Sequence, residues 1–179
     1  MLLAREYLDL MREFFAAGGY VLWAIFLASV LLWALIIERY VYLKLIFPRD
    51  LGQVVAAWQT RGDMTSWYAH KVRDAMVSEL SLRLSRFLTF LRSLIAICPL
   101  LGLLGTVTGM INVFDVMAVQ GSPNPRALAA GVSMATIPTM AGLMVALSGV
   151  FFAVRLRQQA NLERQKAVDV LRDYSREKA

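Results

Sequence analysis

The chain has 179 residues, a single-domain length, of which 58% are hydrophobic and only 18% charged. A water-soluble domain carries more charge than that, so the composition points to a membrane protein. The net charge of +6 fits nucleic acid or a membrane surface, while one cysteine and one histidine exclude an internal disulfide and leave no cluster with metal-ligand spacing.

Residues 1–17 read as an amphipathic segment, with Arg5, Glu6, Asp9, Arg12 and Glu13 set among Leu, Tyr and Phe. A cleavable signal peptide has a basic start and then an unbroken apolar core, and this segment has neither. The first uncharged run, between Glu13 and Glu38, predicts transmembrane helix 1 over 18–38. Its side chains are bulky (Trp23, Phe26, Leu31, Trp33), so we expect it to face lipid, with Tyr20, Tyr40 and Tyr42 as interfacial anchors.

Residues 39–92 form a polar loop and helix. From Thr65 to Arg92 there is no Gly or Pro, and Val72, Met76, Leu80, Leu84, Phe87, Leu88 and Leu91 recur at helical spacing. Asp63 or Thr65 is the expected cap, after the breaker Gly62. This helix is expected to run straight into transmembrane helix 2, residues 93–116. Gln120-Gly-Ser-Pro-Asn-Pro125 is a strong turn signal within the segment 117–126. Transmembrane helix 3 occupies 127–154, and the tail 155–179, free of Gly and Pro, continues it. The fold class is therefore all-α: three transmembrane helices, with long helical extensions of the second and third on the cytoplasmic side. Each span must be helical, because lipid cannot satisfy an open backbone.

The basic residues set the orientation. Two lie before the first span, nine in 39–92, one (Arg126) between the second and third spans, and seven in the tail. The positive-inside rule makes the N-terminus periplasmic and the C-terminus cytoplasmic. It also explains the basic balance without nucleic acid.

Spans two and three differ from span one. Gly102, Gly105 and Gly109 recur in the second; Gly131, Ala135, Thr139, Gly142, Ala146 and Gly149 recur in the third, every three or four residues. Such stripes allow close helix packing in membranes. Thr106, Thr108, Ser133, Thr136, Thr139 and Ser148 place hydroxyls inside the apolar runs. Each can be satisfied on its own helix; if these faces meet a common axis, Thr106, Thr139, Thr108, Thr136 and Ser133 line it. Pro99 and Pro138 would loosen the helices and free carbonyls. Neither run contains a carboxylate, Lys or His. A proton path needs a titratable relay or continuous water, so a buried acid must come from another subunit. Glu38 and Asp115, at span ends, are candidate pore-end charges or ordinary interfacial residues. There is no Gly-rich phosphate loop and no nucleophile elbow, so no enzyme, cofactor or metal is expected.

Pro99-Leu-Leu-Gly-Leu-Leu-Gly-Thr-Val-Thr-Gly-Met110 resembles the second-span signature of the MotA/TolQ/ExbB proton-channel family, and Ile137-Pro-Thr-Met-Ala-Gly-Leu143 resembles its third-span signature. The similarity is greatest to short ExbB-like subunits of second-type TonB systems, which share stretches like Thr65-Ser-Trp-Tyr-Ala-His70 and Val113-Phe-Asp-Val-Met117. The resemblance implies a homo-oligomeric ring, pentameric in the family, in the bacterial inner membrane, with the pore lined by spans two and three. It implies an ExbD-like single-span partner whose membrane aspartate carries the proton, and a TonB-like protein driven for outer-membrane uptake of the iron-siderophore kind. The pore threonines of the family map onto Thr106 and Thr139. One position departs: many ExbB and TolQ proteins carry a Glu five residues before the span-three threonine, where this chain has Met134. A TolQ-like motor for envelope maintenance and a passive membrane scaffold remain as alternatives. Membrane lipid is the expected surroundings, and nucleic acid is not an expected partner.

Overall fold

A computed structural model describes residues 2–60, 66–120 and 125–177, and every described element is helical. Helix α1 spans Leu2–Val41, followed by a π-helical turn at Tyr42–Ile46; α2 is Phe47–Gln59, α3 Trp67–Ser85, α4 Leu88–Gln120 and α5 Pro125–Glu177. Three stretches are long and apolar enough to cross a membrane: Gly18–Gln59, Trp67–Ala118 and Leu128–Arg172. The chain divides into two compact units, Met1–Trp33 with Arg92–Val150, and Ala34–Leu91 with Phe151–Ala179.

In the first unit, three apolar helical segments pack side by side. Gly19 kinks α1 with φ +63°, a left-handed conformation that glycine adopts without a Cβ clash. Beyond the kink, Leu22, Ile25, Ala28 and Leu32 are buried, while Trp23, Phe26, Leu27, Val30 and Leu31 face outward. Steps of three and four residues put the buried set on one face. Span one is therefore only half lipid-facing; its other face packs against α4 and α5, with Leu32 Cδ1 3.0 Å from where a Cβ on Gly149 would lie. Its small residues lie where needed: Ala28 is buried between larger neighbours on the same stripe.

The pairing of α4 with α5 is antiparallel. Ile95 lies against Gly149, Cys98 against Gly142, Gly109 against Ala135 and Val113 against Gly131. Pro99 and Pro138 sit inside continuous helices, Pro138 fully buried. Cys98 is also fully buried, its thiol donating to the Leu94 carbonyl at 3.3 Å.

The second unit holds the polar helices. Trp58, Ala69 and Leu171 form its core with Val54, Val55, Val72, Met76 and Val77 packed around them. Ser66 caps α3, its hydroxyl accepting from the Ala69 N–H at 3.2 Å; this is one residue past the expected cap, and Asp63 and Thr65 lie outside the described residues. So do the four residues 121–124 of the turn between α4 and α5. Helix α2 was not legible in the sequence. It begins with Pro48 in its first turn, where a missing N–H costs nothing. Tyr42 donates to Asp50 at 3.1 Å, and Asp50 also pairs with Arg83 at 3.5 Å.

The stretch before span two is not one helix. Helix α3 ends at Ser85, Arg86 is extended (ψ 137°), and Phe87 has φ +64° before α4 begins at Leu88. A non-glycine residue in that region costs about 1–2 kcal/mol, so tertiary contacts must hold it there. Those contacts centre on Arg39, which is 3% exposed and donates through Nη2 to the carbonyls of Arg83 and Leu84. The extension of the third span, by contrast, is continuous: α5 runs unbroken to Glu177.

The core of the second unit is testable. Trp58 is fully buried, and truncating such a residue costs about 3–5 kcal/mol. Trp58→Ala is expected to lower the melting midpoint and to open α2 and α3 to protease in the membrane-embedded protein. Unchanged proteolysis of that region would show that the cluster does not hold the unit together.

Candidate functional site

The site is built on the α4–α5 contact. A Cβ added to Gly102 would lie 3.0 Å from the Thr139 Cα, and one on Gly142 would lie 2.6 Å from the Cys98 carbonyl oxygen. At Gly105 it would meet the Pro138 ring at 2.4 Å, and at Gly109 the Ala135 Cα at 2.7 Å. Backbone meets backbone here, and only hydrogen fits. Ala135 and Ala146 are buried on the same face, and Gly131 lies against Val113, whose Cγ2 would be 1.9 Å from an added Cβ.

The hydroxyls sit around this contact. Thr139 Oγ1 donates across the helix pair to the Gly102 carbonyl at 3.1 Å, and lies 3.4 Å from its own Ala135 carbonyl. Thr106, one turn beyond Gly102, donates to Leu103 at 2.7 Å. Thr108 donates to Leu104 at 3.0 Å or Gly105 at 3.1 Å, and Thr136 to Ser133 at 3.1 Å. Thr106 and Thr139 are half-buried, whereas Thr108, Thr136 and Ser133 are exposed on the apolar surface. Only Thr139 of these five has a partner on another helix in these bonds. A hydroxyl that spends its proton on a carbonyl still presents lone pairs. These groups can solvate a cation or accept from a protonated acid, but they cannot titrate. Glu38 and Asp115 are both exposed.

Sequence reading missed a cavity of 420 Å³ in the first unit, lined by Phe15, Gly19, Trp23, Thr108, Asn112 and Met134, among others. Met134 lines it with its terminal methyl 3.1 Å from where a Cβ on Gly19 would lie. No spacing signal marks such a cavity, because it forms between the kink of α1 and two other helices. Among the described residues there is no group of three or more His, Cys, Asp or Glu able to hold a metal.

Residues 53–168, well over half of the chain, match the model of the MotA/TolQ/ExbB proton channel family. The chain belongs to that family. It is 36% identical over 101 residues to the putative biopolymer transport protein ExbB-like 3 of Synechocystis, covering 52% of this chain and 48% of that protein. It is 51% identical over 55 residues to the biopolymer transport protein exbB1 of Vibrio cholerae (30% and 24%), and 37% identical over 71 residues to ExbB of Helicobacter pylori (40% and 49%). The chain thus matches less than half the length of each of these relatives. The family is one of proton channels, and these relatives carry the names of biopolymer transport proteins.

The glycine contact makes a paired prediction. Gly142→Ala must push α5 away from the Cys98 carbonyl and is expected to lower thermal stability measurably. Gly52, on α2, has nothing within 4 Å of an added Cβ, so Gly52→Ala gains helix propensity of about 1 kcal/mol and is expected to be neutral or stabilising. Equal melting shifts for the two variants would rule out the close contact.

Proposed function

We propose that this chain is an ExbB-type ring subunit of a motor driven by the proton-motive force in a bacterial inner membrane, energising TonB-dependent outer-membrane uptake. The observation that carries the reading is the division of chemistry in spans two and three. They present hydroxyls at Thr106, Thr108, Thr136 and Thr139, and no carboxylate, Lys or His between Arg92 and Asp115 or between Arg126 and Arg155. A wall that solvates without titrating suits a subunit whose proton is carried by a neighbour. Family membership and the ExbB-named relatives support the same reading. In it, several copies enclose an ExbD-like single-span protein whose membrane acid is the carrier, and the assembly acts on a TonB-like protein. In this reading the N-terminus lies in the periplasm and the 39–92 segment and tail in the cytoplasm, the orientation that the distribution of basic residues supports.

The wide apolar exterior supports assembly. Leu100, Leu103, Leu104, Val107, Phe114, Met140, Met144 and Leu147 are all exposed on α4 and α5. Lipid covers such a surface adequately, but exposed hydroxyls interspersed with it gain from a partner helix.

The experiment is proton flux into liposomes under a pH gradient, with this chain alone, with its ExbD-type partner, and with the partner's membrane aspartate changed to Asn. Flux only with the intact partner is expected. In that complete system Thr139→Val is expected to cut flux severalfold, and Thr139→Ser to retain most of it, since serine keeps the hydroxyl. Equal flux from this chain alone would overturn the division of labour. Full flux in Thr139→Val would remove the hydroxyl from the ion path.

A further inference from the structure

The break between α3 and α4 has no local cause of the usual kind. Between Trp67 and Cys98 there is no Gly or Pro, and apolar residues keep helical spacing through Leu84, Leu88, Leu91 and Ile95. The chain nevertheless leaves the helix at Arg86 and Phe87, and Phe87 takes φ +64°. In an unbroken helix the N–H of Phe87 would bond to the Arg83 carbonyl, and the N–H of Leu88 to the Leu84 carbonyl. Those are the two carbonyls to which Arg39 Nη2 donates. The bonds that frame the break are Arg86 N–H to Leu82 at 3.0 Å and Leu91 N–H to Phe87 at 2.8 Å.

Arg39 therefore stands in for the two backbone donors that would continue α3. Its guanidinium is a cation at the negative end of α3, stacked 4.8 Å from the Tyr42 ring. It is buried, no carboxylate pairs with it within salt-bridge distance among the described residues, and its Nε has no hydrogen-bond partner. Among the described residues its hydrogen bonds go to these carbonyls, so it competes with the helix for them.

We infer that residues Ser85–Leu88 are a two-state joint: with Arg39 seated on the Arg83 and Leu84 carbonyls the joint is broken, and with Arg39 withdrawn the backbone N–H groups of Phe87 and Leu88 take those carbonyls and α3 and α4 become one helix. The strained Phe87 backbone relaxes in the second state, while the buried guanidinium loses its acceptors, so the two states trade one cost against the other.

The test is hydrogen exchange of the full-length protein in nanodiscs, read on peptides covering Leu84–Phe90, for wild type, Arg39→Met, Phe87→Gly and the double variant. A merely structural arginine, once removed, would leave the region looser and faster to exchange. The joint predicts the opposite sign: Arg39→Met slows exchange at Phe87 and Leu88 by tenfold or more. Phe87→Gly, which makes the positive φ free of strain, is expected to keep exchange fast on its own and to restore fast exchange in the Arg39→Met background. A second reading uses spin labels at His70→Cys and Phe90→Cys in a Cys98→Ala background, diluted with unlabelled chain. Arg39→Met is expected to move the distance toward the roughly 30 Å that twenty residues of straight helix span. Should Arg39→Met fail to fold, Arg39→Lys is the substitute, since one compact ammonium serves the two carbonyls less well; it is expected to slow exchange by a smaller factor. Exchange in Arg39→Met or Arg39→Lys that is unchanged or faster, with the label distance unmoved, would overturn the joint.

Discussion

Everything in the membrane unit depends on how closely α4 approaches α5. With hydrogens at Gly102, Gly105, Gly109 and Gly142, the backbones touch, and dispersion contacts accumulate where lipid tails offer no hydrophobic gain. The close approach has a chemical consequence. It brings the Thr139 hydroxyl within 3.1 Å of the Gly102 carbonyl on the neighbouring helix. That hydroxyl is then oriented by two helices, while those of Thr106, Thr108 and Thr136 are oriented by one. The contact that packs the helices is thus the same contact that fixes the most constrained polar group on their surface.

Much of this was legible in the sequence because it is periodic. The run Gly102, Gly105, Gly109 and the run Ala135, Gly142, Ala146, Gly149 each mark one face of one helix, and both faces are buried. What was not legible is what arises between elements. Span one was read as lipid-facing from its bulk, yet Leu22, Ile25 and Leu32 turn inward; bulk alone does not say which of two faces is buried. Helix α2 lacks an apolar stripe long enough to stand out, and its Trp58 is buried only because Ala69 and Leu171 come to it from distant parts of the chain.

The break at Arg86–Phe87 shows the same limit from the other side. Local signals favour a continuous helix, and a contact 44 residues away in sequence overrides them. A weak sign was present: Ser81 and Ser85 turn their hydroxyls back onto carbonyls of the preceding turn, at 2.8–3.0 Å for their shorter bonds. Such bonds loosen the end of a helix without ending it. The sequence prepared a soft place, and Arg39 decided that it would be a corner.

At the position where the resemblance implies a glutamate, this chain has Met134. In this chain the side chain lies at the wall of the cavity beside the Gly19 kink, near Thr108 and Asn112. A thioether is flexible and apolar, and fills an irregular space without needing a partner. A carboxylate in the same place would need a hydrogen-bond donor or a neutralising proton. Tyr20, Trp23, Thr108 and Asn112 are the lining residues whose side chains carry a polar group, and Thr108 already donates to its own backbone. The apolar surface of Phe15, Val21 and Trp23 in the same lining suits the methionine it holds. With methionine at this position, the runs between Arg92 and Asp115 and between Arg126 and Arg155 hold no carboxylate, Lys or His.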